Sequence, residues 1–180
     1  VTVSWSTPYP EMAGRDLDDI ATEWGVDNIS ALEKLQPGGG IYHRMDDADL
    51  ERIMAYPPAL IGSDGLPNDA RPHPRLWGSF PRVLGHYSRD RNLFSLQTAI
   101  AKMTGQSAET LGLADRGKIA TGMAADLVLF DPATIADRAD YKSPDMPSAG
   151  INLVLVNGKP AWKNEALAGS GHGIVLRRDH

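Results

Sequence analysis

The first sixty positions alternate between two periods of apolar spacing. Val1 to Trp5 is dense in β-formers and predicts a buried strand, closed at Pro8, which has no N–H for a ladder. Leu17, Ile20, Ala21 and Trp24 follow at i, i+3, i+4 and i+7, a single helical stripe, and Gly25 stands where a left-handed cap ends such a helix. Ser30-Ala31-Leu32-Glu33 has capping-box spacing and predicts a short helix that stops before Pro37. Beyond Gly38-Gly39-Gly40, a short strand is expected over Ile41 to His43. Asp46 then caps a helix whose buried face is Leu50, Ile53 and Met54. Pro57-Pro58 ends that helix, and Ala59 to Ile61 predicts a buried strand running into Gly62-Ser63-Asp64-Gly65. Strands alternating with helices imply right-handed βα units and a parallel sheet.

From Leu66 to Arg91 no period holds. The segment is rich in Pro, Arg and aromatics, and Trp77, Phe80 and Leu84 point to an ordered, functional loop rather than a disordered one. Leu96, Ala99, Ile100 and Met103 restore a helical face, with Gly105 as its stop, and a further short helix runs from Ser107 to Gly112. The period then changes to that of strands, at Asp126 to Asp131, Ile151 to Val156, Pro160 to Trp162 and His172 to Leu176. Asn157-Gly158 marks a two-residue hairpin. These shifts predict an α/β chain with a βα portion over residues 1–113 and a small β portion over 114–180.

A length of 180 residues suffices for a real core. A net charge of −5 argues against a general nucleic-acid binder, despite the arginines between Arg71 and Arg91. With no cysteine, disulfides and zinc fingers are excluded. No apolar run is long enough to cross a bilayer and no signal peptide opens the chain, so a cytoplasmic protein without membrane or nucleic-acid partners is expected. A chain that opens on Val1, inside a core strand, also reads as part of something longer.

Asp64 is the first chemical candidate. A carboxylate at a strand end, beside glycines that allow close approach, can move a proton or offer oxygen to a metal; equally it can do no more than cap a turn. The cluster Arg71, His73, Arg75, Arg82, His86, Arg89 and Arg91 follows directly. For most of these a solvated surface or ion pairs to Asp64, Asp69 and Asp90 suffice. Arg75 stands apart, pinned by Pro74 and Leu76-Trp77, with a planar fork that matches a carboxylate. Met45 can wall a pocket or pack beneath the following helix. His43 at its strand end can line the same rim as Asp64 but reads more readily as a hydrogen-bonded neighbour, His73 between two prolines reads as a cap of the loop, and His86 beside Tyr87 as packing. No two histidines stand at i, i+2 or i, i+4, so no local metal motif exists.

With these residues in view, the chain resembles the C-terminal portion of the D-aminoacylases, the N-acyl-D-amino-acid deacylases of the amidohydrolase superfamily. The resemblance is carried by Trp5-Ser6, Tyr42-His43-Arg44-Met45-Asp46, Ile61-Gly62-Ser63-Asp64-Gly65-Leu66-Pro67 and His73-Pro74-Arg75-Leu76-Trp77-Gly78 running on to Gly85. Lys102-Met103-Thr104-Gly105, Ala125 to Pro132 and Val156-Asn157-Gly158 add to it. It implies the last three or so βα units of a (β/α)8 TIM-type barrel followed by part of a small β-sandwich. It also implies zinc-dependent hydrolysis of the amide of N-acyl-D-amino acids. In that scheme Asp64 is the catalytic acid/base and at most a weak metal ligand. Arg75 binds the substrate carboxylate, and Met45 lines the side-chain pocket. The family's histidine and cysteine metal ligands have no counterpart in this chain. The alternative expectation is therefore a non-catalytic fragment or subunit that binds an N-terminal partner through an open sheet edge to form the metal site, with self-association as the other partner expected.

Overall fold

The computed structural model describes residues 1–66 and 71–176, which gather into two compact units. The first comprises Val1–Asp47, Asp64–Trp77 and Ala139–Met146. Its strand β1 (Thr2–Ser6) pairs with β2 (Gly38–Ile41), and between them lie helices α1 (Leu17–Trp24) and α2 (Asn28–Lys34). The helical stripe lands as expected: Leu17, Ile20 and Ala21 are buried with Val3, Met12, Ala31 and Leu35, while Tyr9 and Trp24 pack against them. Burying Ile20 and Leu35 fully contributes roughly 1.5–3 kcal/mol each. Gly25 takes the left-handed cap at φ 62°. The chain after α2 returns antiparallel to β1, with Thr2 opposite Ile41 and Ser6 opposite Gly38. This overturns the parallel pairing expected from alternation, since two helices between strands fix spacing but not direction. The α2 cap also differs. Asp27, not Ser30, accepts the helix's N–H bond, from Ser30 at 2.8 Å, and the earlier start brings Ala31 into the core.

The same unit draws in chain from far along the sequence. The Arg71 N–H donates to the Ser4 carbonyl at 3.1 Å, and the Arg71 guanidinium donates to the Lys142 carbonyl at 2.9 Å. Both later segments are thereby tied to the β1 side of the sheet.

The second unit comprises Ala48–Ser63, Gly78–Arg138 and Pro147–His180. It contains most of α3 (Asp47–Ala55), and α4 (Arg75–Arg82), whose first turn belongs to the first unit, continues into it. A wide π-helical run over Val83–Asp90 follows, then α5 (Leu96–Met103) and α6 (Gly105–Leu111). The expected aperiodic loop is thus largely helix. Pro81 removes an N–H inside α4, and the wider turns after it put Val83, Leu84, Tyr87 and Ser88 on the buried side, a spacing that a 3.6-residue template misses. At Gly85 a Cβ would collide with the Ile135 carbonyl oxygen, so a glycine there marks close packing, not a turn.

Met54, Val83, Leu84, Tyr87, Ala99 and Ile135 form this unit's core, which joins residues from both sides of residue 113. Ile53 is exposed, contrary to its expected place on the α3 face. Thr104, with φ −130° and ψ −92°, breaks α5 from α6, so Gly105 begins a helix where it was expected to end one. Strands β3 (Leu127–Phe130), β4 (Ile151–Val156), β5 (Lys159–Lys163) and β6 (Ala166–Leu167) make an antiparallel meander in that order. The predicted two-residue hairpin forms at Asn157-Gly158, and both residues take positive φ, 49° and 78°, as a type I′ turn requires. Asn164-Glu165 repeats the turn at 51° and 62°, with a glutamate that carries no turn signal. Ala59 to Ile61 and His172 to Leu176 have no strand assignment. The Ile61 N–H instead meets the Lys102 carbonyl of α5 at 3.4 Å, so apolar composition there reflects contact with a helix and not a ladder.

Candidate functional site

Asp64 and Arg75 meet in the first unit. Arg75 is the first residue of α4, and its Nη2 lies 2.9 Å from Asp64 Oδ2. Asp64 adopts the left-handed region at φ 47°, which a short polar side chain tolerates. Gly65 makes the approach feasible: a Cβ there would stand 2.7 Å from Leu76 Cδ1 and 2.8 Å from Leu76 Cα. Leu76 directly follows Arg75, so one glycine lets the acid's segment press against the helix turn that carries the guanidinium. A Cβ at Gly62 would meet nothing within 4 Å, so of the two flanking glycines only Gly65 has a packing reason. The Asp64 side chain is 80% exposed and that of Arg75 39%. An ion pair this open contributes about 0–1 kcal/mol, so it leaves both groups available to a ligand.

Next to Arg75 stands an aromatic and hydrogen-bonded row that sequence reasoning did not assemble. The Arg75 N–H donates to His73 Nδ1 at 3.0 Å. A backbone N–H can only donate, so Nδ1 carries no proton and a neutral ring holds its proton on Nε2. That nitrogen lies 3.3 Å from Tyr141 Oη. The Tyr141 ring sits edge-on to both His73 and His43, with centroids 5.2 and 4.6 Å away. His43 Nε2 is 3.1 Å from Thr2 Oγ1, which in turn donates to Asp16 Oδ1 at 3.0 Å. Burial, reinforced by the Arg75 charge and by His43 and opposed by Asp64, lowers the His73 pKa below its ordinary value.

His43 is thus the hydrogen-bonded neighbour it was expected to be, and His86 stacks edge-on against Tyr87 at 4.8 Å. Met45 is exposed, not packed under α3. The remaining arginines make ordinary contacts: Arg82 with Asp137, Arg89 with Asp90 and three carbonyls, and Arg91 with Glu51. Asp69, weighed above as an ion-pair partner, lies outside the described residues. Among the described residues no group of three or more His, Cys, Asp or Glu gathers to hold a metal ion. Asp64 therefore offers a single oxygen donor group, and these residues do not make a zinc site by themselves. Tyr141 was missed for a simple reason. It lies 68 positions from His73, in a segment without periodicity, and nothing local joins them.

Over 98% of its length the chain is 54% identical to a D-aminoacylase of Alcaligenes xylosoxydans xylosoxydans, and over 99% it is 49% identical to an N-acyl-D-glutamate deacylase of that organism. In each case it spans only 36% of the relative's length. Among solved structures, a D-aminoacylase described as defining a novel subset of amidohydrolases superposes with a TM-score of 0.90 at 54% identity, covering 94% of this chain and 36% of that one. The N-acyl-D-glutamate deacylase of Bordetella bronchiseptica, solved with zinc and a phosphonate that mimics the tetrahedral intermediate, gives 0.88 at 50% identity, covering 91% and 35%. A further D-aminoacylase structure was studied for its binuclear metal centre. Residues 12–161 match the amidohydrolase family itself, and the chain belongs to that family.

Proposed function

We propose that this chain is the acid/base and carboxylate-binding portion of a zinc-dependent hydrolase that cleaves the amide bond of N-acyl-D-amino acids. The observation that carries the reading is the Asp64–Arg75 pair: a proton-transferring group and a two-pronged anion binder 2.9 Å apart, the acid exposed and the guanidinium half-buried. Hydrolysis forms a bond from water oxygen to the acyl carbon and breaks the carbon–nitrogen bond. Asp64 takes the proton of the attacking water and passes it to the departing nitrogen, which leaves as the free amine of a D-amino acid. Arg75 holds the α-carboxylate; its five N–H donors allow a substrate carboxylate to join or replace Asp64. Met45 lines the side-chain pocket. The Lewis-acid chemistry that zinc supplies belongs to ligands outside the described residues. In the same reading, residues 1–113 are the last three or so βα units of a (β/α)8 barrel, 114–180 are part of a small β-sandwich, and the parts that complete both lie elsewhere in a longer protein.

A second reading is favoured by one observation, the lack of any metal-holding cluster among the described residues. It makes this chain a non-catalytic piece that becomes part of an enzyme only with an N-terminal portion. Turnover of an N-acetyl-D-amino acid is measured with zinc, for this chain alone and for the whole protein. Activity of the whole protein, lost in Asp64→Ala with substrate binding retained, supports the first reading. Near-normal rates in that variant would remove Asp64 from the mechanism.

A further inference from the structure

We propose that His73 is a positioning residue for Arg75, acting as a neutral imidazole strut between the first turn of α4 and Tyr141. The inference rests on the reading of Arg75 as the carboxylate anchor. The geometry is specific. The imidazole Nδ1 accepts the N–H of Arg75 itself at 3.0 Å, while the His73 carbonyl accepts the Leu76 N–H at 3.1 Å. Side chain and main chain of one residue thus satisfy the first two amides of the helix. An Asx turn does this with a short carboxamide; here an imidazole does it, which leaves a second nitrogen to be held elsewhere. Tyr141 holds it, through Oη at 3.3 Å and an edge-on ring contact. Pro72 and Pro74 fix φ on both sides of His73, and Pro74 also restricts the backbone of His73 itself, so the stretch of chain that carries the ring is stiff. Arg75 is then attached to a helix start whose position is set at two points, and its guanidinium swings from a fixed Cα.

The charge state follows from the contacts. A protonated Nδ1 would face the Arg75 N–H donor to donor, and would place a cation beside a guanidinium. The lowered pKa of His73 agrees with a ring that stays neutral. Its neighbours from each packed element are Arg75 and Asp64, His43, and Tyr141.

The test compares His73→Ala, His73→Asn and Tyr141→Phe in the whole protein, on an N-acetyl-D-amino acid and on the matching amide that lacks the α-carboxylate. For His73→Ala the acid's KM is expected to rise about tenfold with kcat changed less, and the amide to be affected little. His73→Asn restores most of the KM, since Asn caps by the same bond but does not reach Tyr141; Tyr141→Phe gives a smaller rise of the same kind. In wild type, imidazole nitrogen NMR shifts are expected to show the Nε2–H form of His73 at neutral pH. An equal loss on acid and amide, no rescue by Asn, or an Nδ1–H ring overturns the proposal. If wild type hydrolyses no N-acyl-D-amino acid, the deacylase reading fails instead, and the NMR result still decides whether the strut exists.

Discussion

Two cations in this molecule are held in opposite ways. Arg75 in the first unit faces a carboxylate, is 39% exposed, and its partner is 80% exposed. Lys102 in the second unit is 1% exposed, and its Nζ donates to three neutral carbonyls, those of Tyr56 at 2.6 Å, Pro57 at 3.2 Å and Ala59 at 2.8 Å. Burial lowers the Lys102 pKa below its ordinary value. The difference separates two uses of charge. An exposed pair is worth little to the fold and can be exchanged for a ligand. A buried ammonium cannot leave without stranding every carbonyl that it satisfies, so Lys102 fastens the turn after α3 and serves structure.

Replacing Lys102 with Met tests the structural half and has the largest expected cost. It leaves three inward carbonyls without their donor, and stability to urea should fall by about 3 kcal/mol. A change under about 1 kcal/mol would mean that water reaches the turn and that the contrast with Arg75 is false. Gly65→Ala comes next, at about 1–3 kcal/mol, because its Cβ overlaps Leu76 backbone and side chain alike. In the whole protein it should also raise KM, since the acid's segment must back away from α4; retained stability and KM would show that the turn relaxes freely.

Asp64→Ala should alter stability by less than about 1 kcal/mol while abolishing turnover, the signature of a group kept for chemistry. A large loss of stability would move Asp64 to the structural side of the comparison. The smallest effect is a pH dependence. His73 has a lowered pKa in the folded chain, so on acidification the unfolded chain takes up its proton first, near the ordinary histidine value of about 6.5. Stability is therefore fully present above that pH and declines as pH falls from there toward the folded pKa. Urea midpoints between pH 7.5 and 5 should show a shallower decline in His73→Asn than in wild type. Equal slopes would mean that folding does not lower the His73 pKa.

Most local features could be read directly from residue order. The α1 stripe, the Gly25 cap, the Asn157-Gly158 hairpin and β4 all depend on neighbours within a few turns of chain; the ion pair that Arg75 makes with Asp64 was weighed for the other arginines and not for this one. The failures have a common cause. The helix through Pro81 was hidden because a π-helical run repeats at a spacing unlike that of an α-helix. Ala59 to Ile61 was taken for a strand because an apolar run has the same composition whether a ladder or a helix covers it. The burial of Lys102 has no local signal, since its three acceptors are more than forty positions away.

By itself the residue order determined the family and the short-range elements, because each rests on side-chain chemistry or on backbone preferences of adjacent residues. Only the tertiary structure decided the direction of β1 against β2, the use of Gly65 as a contact with Leu76, and the row from Arg75 through His73 and Tyr141 to His43. Those features join residues distant in the chain. Their partners are chosen by which surfaces exclude water together and which donors then need an acceptor, and no local pattern encodes that choice.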